Sequence, residues 1–305
     1  MKIEVIIPAY NEERNIINLL ECISKATIPS KVDFLCTVVA NGCADMTYEK
    51  VLEYIKEKEI FKAIELEEGH KAKAMNAVYK ELSKDTICIT IDADTTISSN
   101  FIEVVYEKFS NDESLHVLGA DYVPELSNLP EDSYIRKYEI AEHVARVMSP
   151  ITLPIGAFIA FKKEDFDSIP EDIVSHDSYI PLDCWKRFGK DSVVCDLEIK
   201  SIHYPATNWT ELLNQRTRWV QGTIELMEKY PELRDITKER EEMKMKYIGD
   251  LKQKSVHLLL EKGLTEEDVQ GLSFFRGNIV KENAKKGPWL ISDKGTWDTN
   301  TSTKG

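Results

Sequence analysis

The stretch Ile87-Cys88-Ile89-Thr90-Ile91-Asp92-Ala93-Asp94 decides the fold, because a short β-branched apolar run ends there in two carboxylates. Such a run predicts a buried central strand. Residues i and i+2 of an extended segment point to the same side, so we expect Asp92 and Asp94 to converge on one ligand at the carboxyl edge of a sheet. Two hard oxygen donors suit Mg²⁺ or Mn²⁺ bridged to substrate phosphates. The alternative interpretation is a strand followed by an ordinary acidic turn.

Strand-like and helical segments alternate on both sides of this stretch. The predicted strands lie near residues 3–7, 34–40, 63–66, 87–91, 115–123, 156–161, 192–195 and 200–204. The predicted helices lie near residues 16–23, 47–58, 71–82, 101–109, 134–148 and 178–188, and from 209 onward. This alternation predicts an α/β fold with a mostly parallel central sheet flanked by helices. The two commonest phosphate-binding loops, G-x-G-x-x-G and the Walker A motif, do not occur in the sequence.

Length, charge and cysteine usage restrict the class of protein. A chain of 305 residues can bury a large core. Its net charge of −14 argues against a nucleic-acid-binding protein, because such proteins neutralise phosphates with surplus Lys and Arg. The six cysteines form no C-x-x-C pair, which is typical of free thiols in a reducing compartment. No apolar run reaches the ~18 residues of a membrane span, and no signal peptide precedes the first strand, so we expect a cytoplasmic protein.

Two further features carry candidate chemistry. Gly156 begins an apolar strand, where a missing side chain lets a ligand approach the backbone. Gln215, Arg218 and Trp219 are spaced i, i+3 and i+4, so they share one face of a predicted helix. Arginine suits bidentate binding of an anionic group, and an indole ring offers a flat apolar surface. For Trp219 taken alone, a position in the core is the alternative.

Seven features together resemble the family 2 glycosyltransferases, which have the GT-A fold. They are Ile7-Pro8-Ala9-Tyr10-Asn11-Glu12-Glu13, Val39-Ala40-Asn41-Gly42-Cys43-Ala44-Asp45, Gly69-His70-Lys71 through Asn76, Asp92-Ala93-Asp94, Gly156-Ala157 before Phe161-Lys162-Lys163, Asp177, and Gln215-Arg216-Thr217-Arg218-Trp219. The resemblance covers residues 3–226, about three quarters of the chain. Each feature alone is weak, but their order and spacing make the set specific.

The resemblance implies transfer of a sugar, hexosyl or N-acetylhexosaminyl, from a nucleotide-diphosphate donor to an acceptor, with inversion at the anomeric carbon. Uridine is the family's commonest nucleobase. Contacts to the nucleoside are implied for Pro8, Tyr10 and Glu12 after the first strand, and Asn41 and Asp45 would complete that pocket. Gly156, Gln215, Arg218 and Trp219 would add contacts to the nucleotide sugar.

Phosphate and metal binding are implied for a second group of residues. Lys71 matches the family's lysine five residues before an asparagine, here Asn76, and a helix start suits phosphate. Lys73 is the alternative lysine. Asp94 would coordinate Mn²⁺ or Mg²⁺ directly, whereas Asp92 would lie near the ribose or reach the ion through water. His203 matches a position where some relatives supply a third metal ligand, although a structural histidine is the alternative.

Inverting transfer also needs a base that takes the proton from the attacking acceptor. Asp177 occupies the family's catalytic position, which is usually written Glu-Asp and stands here as His176-Asp177. The alternative for Asp177 is a helix N-cap. Asp183 falls inside the predicted helix and is a poor substitute. Ala40 also departs from the family pattern, because an acidic residue is frequent there.

The expected organisation is a catalytic domain, 1–230, followed by a C-terminal helical extension with a flexible tail, 231–305. Within the first, 1–100 would be the nucleotide-binding half and 101–230 the acceptor half. The acceptor is expected to be a glycan, peptide, protein, lipid-linked or small molecule. Peripheral membrane contact and self-association through the C-terminal helices are left open.

Two other functions compete with transfer. Asp92-Ala93-Asp94-Thr95-Thr96 also fits the D-x-D-x-T opening of phosphatases with an aspartate nucleophile. That motif normally follows the first strand of its domain, whereas two or three strand–helix units precede it here. The second alternative is a module of the same fold that binds a nucleotide or glycan without turnover.

Overall fold

The computed structural model describes residues 1–149, 152–154, 156–240, 243, 259–265 and 268. The chain divides into two compact units, which are described separately. The first comprises Met1–Tyr122 and Leu153–His203, and the described part of the second falls within Val123–Thr152 and Tyr204–Leu290. The predicted extension 231–305 lies mostly outside the described residues. Its boundary at residue 230, and the two predicted halves, stay predictions.

A single sheet of eight strands is formed. The strands are β1 (Lys2–Ala9), β2 (Asp33–Asn41), β3 (Phe61–Leu66), β4 (Thr86–Ile91), β5 (Thr96–Ile97), β6 (Val117–Pro124), β7 (Phe158–Lys162) and β8 (Val193–His203), and they lie in the order β3-β2-β1-β4-β7-β6-β8-β5. The first four in that order are mutually parallel, while β7 is antiparallel to both β4 and β6. The predicted α/β fold is therefore confirmed.

Strand β8 differs from the sequence prediction. The sequence indicates two short strands near 192–195 and 200–204, but one continuous strand spans both. Its middle carries charged residues that obscure the apolar pattern, and two of them form ion pairs: Asp196 with Lys108 and Lys200 with Asp121. The two-residue strand β5, which pairs with β8, was not predicted.

Seven α-helices are described. They are α1 (Ile16–Ser24), α2 (Thr47–Ile55), α3 (Lys71–Tyr79), α4 (Phe101–Asn111), α5 (Tyr134–Val147), α6 (His176–Phe188) and α7 (Trp209–Lys229). The helices of the first unit pack their apolar faces against the sheet, as in α1, where Ile16, Leu19, Leu20 and Ile23 are all buried at helical spacing. No helix in the described part of the chain is long and apolar enough to cross a membrane.

Helix α6 contains a proline in its interior. Pro181 lies five residues after His176, the first residue of the helix, so its missing N–H is one that a regular helix would donate to the carbonyl of Asp177. The preceding bond, from Tyr179 N to Ser175 O, is formed at 2.9 Å. The helical hydrogen-bond pattern is therefore interrupted at the residue predicted to be the catalytic base.

The second unit has its own apolar cluster, built mainly from α5 and α7. Ile135, Val144 and Leu212 are among its buried members. The cluster lies beside a buried ion pair in which Arg216 donates to Glu139 at 2.7 Å, with both side chains at most 6% exposed. A paired charge of this kind is retained because removing either partner would leave the other buried without compensation.

Candidate active site

The candidate site lies at one edge of the sheet in the first unit. Strands β1, β2 and β4 are parallel, so their carboxyl ends meet at the same edge. Strand β7 runs antiparallel to β4, which brings its amino end and the preceding Gly156 to that edge. Open α/β sheets bind ligands at such an edge. The topology therefore gathers most of the predicted site residues of the first unit.

Three charged side chains surround Gly156. A Cβ atom added there would lie 3.3 Å from Asp92 Oδ2 and 3.5 Å from both Asp177 Oδ2 and Lys71 Nζ. Lys71 Nζ itself pairs with Asp92 Oδ1 at 2.5 Å. A side chain at position 156 would thus fill the space beside these charged groups, and the approach of a ligand to the Gly156 backbone stays a prediction. Residues from α3, β4, the β7 approach and α6 converge at this point.

Asp177 is held by two backbone donors. The N–H of Gly156 donates to Oδ2 at 3.3 Å, and the N–H of Ser178 donates to Oδ1 at 3.0 Å. Ser175 is the N-cap residue of α6, so Asp177 lies in the first turn and does not cap the helix. Burial raises the pKa of Asp177, Lys71 opposes this shift, and the charge of Asp92 adds to it. A carboxylate with a raised pKa is suited to accepting a proton.

Acidic groups accumulate around the end of β4. The side chain of Asp94 reaches solvent but is crowded by protein, and this desolvation, followed by the charge of Asp92, raises the pKa of Asp94 to about 6. Desolvation also raises the pKa of Glu12 to about 7, with Asp94, Asp92 and Asp45 contributing in the same direction. Adjacent carboxylates with raised pKa values repel one another, so a cation is favoured at this point.

The donor set fits a hard divalent cation. Mg²⁺ is typically held by one or two carboxylates together with substrate phosphates, and Asp92 and Asp94 supply such a pair. Among the described residues, no group of three His, Cys, Asp or Glu side chains is arranged to hold a metal ion. The pair therefore suits an ion whose remaining ligands come from a substrate or from water.

His203 lies at the end of β8 and is buried. Its ring stacks on Tyr122, with the centroids 3.6 Å apart and the planes at 4°. It does not form a three-residue metal cluster with Asp92 and Asp94 within the described chain. The stacking accounts for a histidine here without a metal, as the structural alternative anticipates, and the role of third ligand stays a prediction.

Asn41 and Asp45 hold the loops that were predicted to bind the nucleoside. Asn41 donates to the carbonyl of Ala9 at 2.7 Å and accepts from the N–H of His70 at 3.0 Å, so it joins the ends of β1 and β2 to the start of α3. Asp45 accepts from the N–H of Glu13 at 3.1 Å and from Thr47. Asn41 is 3% exposed. Its geometry favours support of the pocket over direct contact with a base.

The geometry does not favour the prediction that Asn76 binds the donor. Its amide donates to Ile169 O at 2.8 Å and to Glu171 Oε1 at 2.7 Å, and its carbonyl accepts from Ile169 N at 2.8 Å. The side chain is only 3% exposed. Because both ends of the amide are engaged, Asn76 fastens α3 to the segment that leads into α6. It connects the helix of Lys71 to the helix of Asp177.

Replacing Asn76 by Ala should destabilise the protein by about 2–4 kcal/mol, because it leaves the N–H and C=O of Ile169 buried without their partner. Chemical unfolding would measure the loss. Asn15→Ala is the control, since Asn15 also donates to a glutamate, Glu12, but from a less buried position. An equal loss of stability in both variants would contradict the inference that Asn76 fastens α3 to the segment that leads into α6.

His176 replaces the family's glutamate and is buried. Burial, with the nearby charges of Lys71 and His70, lowers the pKa of His176 to about 3, so the ring is neutral at physiological pH. Its Nε2 atom has no hydrogen-bond partner among the described residues. A neutral ring beside Asp177 adds no negative charge, unlike the glutamate of the family pattern.

The residues of the Q-x-x-R-W sequence lie on α7 in the second unit. Trp219 is 43% exposed, so it is not a core residue. Its ring lies 4.1 Å from the guanidinium carbon of Arg216, which places an exposed indole over a buried cation. Arg218 is half-buried, as is Gln215. The roles of Gln215, Arg218 and Trp219 in binding the donor or acceptor stay predictions.

Sequence reasoning missed two supporting residues. Arg216 was noted only as a neighbour of Arg218, although it forms the buried pair with Glu139. Asn11 adopts a left-handed conformation with φ of 55°, and its side chain accepts from the N–H of Ala44 at 2.7 Å. An asparagine two residues after the end of β1 was the available signal for this turn.

Comparison with known proteins decides the family. The model of the family described as "Glycosyl transferase family 2" matches residues 4–169, more than half of the chain. This chain is a family 2 glycosyltransferase. The matched region includes Asp92, which follows the fourth strand and not the first, and this position argues against the phosphatase alternative.

One curated relative and two solved structures resemble this glycosyltransferase. The dolichol-phosphate mannosyltransferase of Pyrococcus furiosus is 28% identical over 177 residues, which cover 55% of this chain and 48% of the relative. The chain thus spans about half the length of that relative. The mannosyltransferase PcManGT of Pyrobaculum calidifontis, solved with GDP-Man and Mn²⁺, has a TM-score of 0.58 at 16% identity and covers 93% of this chain and 83% of its own.

The second structure is glucosyl-3-phosphoglycerate synthase from Mycobacterium tuberculosis, solved with Mn²⁺, UDP and glucosyl-3-phosphoglycerate. It has a TM-score of 0.52 at 17% identity, covering 74% of this chain and 79% of that chain. At these identities the likeness concerns the fold, and it agrees with the predicted GT-A architecture.

Proposed function

We propose that this glycosyltransferase moves a hexosyl or N-acetylhexosaminyl group from a nucleotide-diphosphate sugar, with UDP as the expected nucleotide, to a hydroxyl or other nucleophile of the acceptor, with inversion. The observation that carries the proposal is the convergence of Asp177, Asp92 and Lys71 around Gly156. This arrangement places a candidate base, a candidate metal ligand and a cation for phosphate within one small site. The acceptor is a protein, peptide, glycan, lipid-linked or small molecule.

The similar proteins support a nucleotide-sugar donor and a divalent cation. PcManGT was solved with GDP-Man and Mn²⁺, and the mycobacterial synthase with UDP and Mn²⁺. Both share the fold of this chain, in which Asp92 and Asp94 follow β4 at the carboxyl edge of the sheet. Because the two structures hold different nucleotides, an experiment has to identify the nucleotide that this chain binds.

The proposed mechanism assigns each group one task. Asp92 and Asp94 would hold Mn²⁺ or Mg²⁺, and the bound ion would stabilise the negative charge of the departing diphosphate. Asp177, oriented by the N–H groups of Gly156 and Ser178, would accept the proton of the acceptor as it attacks the anomeric carbon. Lys71 would supply a positive charge for the diphosphate near this carboxylate. Attack from the face opposite the leaving diphosphate gives inversion.

A donor screen tests the proposal. The full chain would be incubated with UDP-, GDP- and dTDP-sugars, with and without Mn²⁺, and both thermal shift and release of the nucleoside diphosphate would be measured. We expect one nucleotide to stabilise the protein, and its sugar to be hydrolysed, only in the presence of the ion. Hydrolysis of a generic phosphomonoester without any response to nucleotide sugars would contradict the proposal.

Without metal, the protein should lose stability as the pH rises. Glu12 and Asp94 have pKa values of about 7 and about 6, above their ordinary values of 4.5 and 3.8. The folded state therefore binds protons more tightly than the unfolded chain, so the stabilisation is complete below about pH 4 and is lost as the pH rises through 6 to 7.

The melting temperature, measured in EDTA between pH 5 and pH 8, should fall across this range. Glu12→Gln, which keeps the hydrogen-bonding shape but removes the titration, should flatten the profile. An unchanged profile in this variant would show that other groups govern the pH dependence.

A further inference from the structure

We propose that Lys71 is an exchangeable counter-ion of the site: it neutralises Asp92 in the ligand-free protein and must leave this carboxylate before a divalent cation binds, which couples cation binding to nucleotide binding. The inference rests on the proposed metal and nucleotide site. It goes further because it assigns the energetic link between the two ligands to one side chain.

The contacts of Lys71 place it at the carboxylate that the cation needs. Its Nζ lies 2.5 Å from Asp92 Oδ1, and the pair is partly open to solvent, with the lysine side chain 41% and the aspartate side chain 33% exposed. Lys71 occupies Oδ1 of Asp92, and a divalent cation held by this carboxylate would be repelled by the ammonium group, so the two compete at Asp92. The partial exposure means that the ion pair can separate without burying an unpaired charge.

The ammonium group of Lys71 also has other possible partners within the site. Its Nζ and Asp177 Oδ2 each lie 3.5 Å from the position that a Cβ atom on Gly156 would occupy. Lys71 is the first residue of α3, a helix start that favours a phosphate group. A flexible four-carbon stem lets its ammonium group shift between such partners. Once released from Asp92, the ammonium can therefore stay within the site and bind the diphosphate.

Several acidic groups near Lys71 favour its ion pair with Asp92 in the absence of ligand. Lys71 interacts electrostatically with Asp92, and to a lesser extent with Asp177 and Asp94. Glu12 adds a further acid that interacts with both Asp92 and Asp94. Lys71 is thus a cation that faces several acids, in a chain whose net charge is −14.

This arrangement predicts positive coupling between the two ligands. A cation that binds alone must separate Lys71 from Asp92 and leaves the ammonium without a phosphate partner. A nucleotide that binds afterwards meets a lysine already released, so the separation is needed only once for the two ligands together. By linkage, each ligand then strengthens the binding of the other by the same factor.

Lys73 offers a matched comparison in the same helix. Its side chain is also 41% exposed, and its Nζ pairs with Glu68 at 2.8 Å, away from the carboxylates around Gly156. Residues two positions apart on a helix point about 200° apart, which explains why only one of the two lysines faces the site. Lys71→Met and Lys73→Met therefore remove the same charge from α3 at different places.

Isothermal titration calorimetry of the full chain tests the inference. Mn²⁺ would be titrated alone and at saturating UDP into wild type, Lys71→Met, Lys73→Met and the charge-conserving Lys71→Arg. We expect Lys71→Met to bind Mn²⁺ alone about three- to tenfold more tightly than wild type, the size expected for loss of a half-exposed ion pair with a competing cation. The factor by which UDP strengthens Mn²⁺ binding should fall in this variant. Lys73→Met should stay within about twofold of wild type. Lys71→Arg, which keeps a positive charge beside Asp92, should not show the tighter Mn²⁺ binding of Lys71→Met.

The outcomes separate this inference from the proposed function. If wild type binds Mn²⁺ and UDP with positive coupling but Lys71→Met keeps the same affinity for Mn²⁺ alone and the same coupling, the counter-ion role is overturned while the proposed function stands. An equal gain in Lys73→Met would also overturn it, because the effect would then be one of overall charge. No Mn²⁺ binding by wild type with or without UDP would overturn both. Melting curves of each variant exclude a change caused by misfolding.

Discussion

Asp177→Asn should lower kcat by about 10²–10⁴-fold, the contribution typical of a positioned general base. The amide keeps the size of the carboxylate but cannot accept the acceptor's proton. It should leave nucleotide binding within about twofold of wild type. Since burial raises the pKa of Asp177, replacing it with a neutral group should leave the melting temperature unchanged or higher. The measurements are steady-state kinetics, UDP titration and a melting curve.

Asp183→Asn is the matched control on the same helix. Asp183 lies six residues further along α6. Its carboxylate forms an i,i+4 ion pair with Arg187 at 2.7 Å on the surface of the helix. We expect this variant to keep wild-type kcat. If Asp177→Asn retained full activity, the base would have to be another group, and the assignment of Asp177 would be wrong.

Asp94→Asn should abolish the Mn²⁺-dependent part of UDP binding and reduce kcat/KM by about 10²–10³-fold, as expected when one electrostatic stabiliser of a leaving group is removed. The same change removes a carboxylate whose pKa is raised by desolvation and by Asp92. The metal-free variant should therefore melt at a higher temperature than metal-free wild type near pH 8. Opposite effects on stability and activity would identify Asp94 as a functional group and not a structural one.

The control for Asp94 lies at the other end of the same strand. Asp85 precedes β4, is 70% exposed and contacts Lys2 only at 3.8 Å. Asp85→Asn should change neither Mn²⁺ dependence nor kcat/KM. Retention of full Mn²⁺-stimulated UDP binding in Asp94→Asn would refute the proposed metal site.

The order of strands and helices could be predicted from the sequence because most elements in the first unit have a clear apolar pattern. The run before Asp92 is buried at all six positions of β4, as a central strand requires. Strand β8 was harder, since its charged residues are paired with partners distant in sequence, such as Asp121 with Lys200. A local pattern does not reveal such pairing.

The motifs located the site, but they did not distinguish residues that contact a ligand from residues that hold the surrounding loops in place. Asn41 and Asn76 belong to the family motifs, yet both side chains are buried and bonded to neighbouring loops. An asparagine has the same donor and acceptor atoms whether it meets a ligand or a backbone, so only the fold distinguishes the two uses. The choice between Lys71 and Lys73 likewise depended on which side of α3 faces the carboxylates.

The proline within α6 has a consequence for how Asp177 works. Because Pro181 donates no hydrogen to the carbonyl of Asp177, the first turn of the helix is tied less tightly to the turn that follows. The peptide unit of Asp177 can then tilt by a small angle without breaking a bond of the helical ladder. For Asp177 as the proposed base, this freedom would let the carboxylate adjust its position to acceptors of different size. A regular helix would hold the carboxylate in one position.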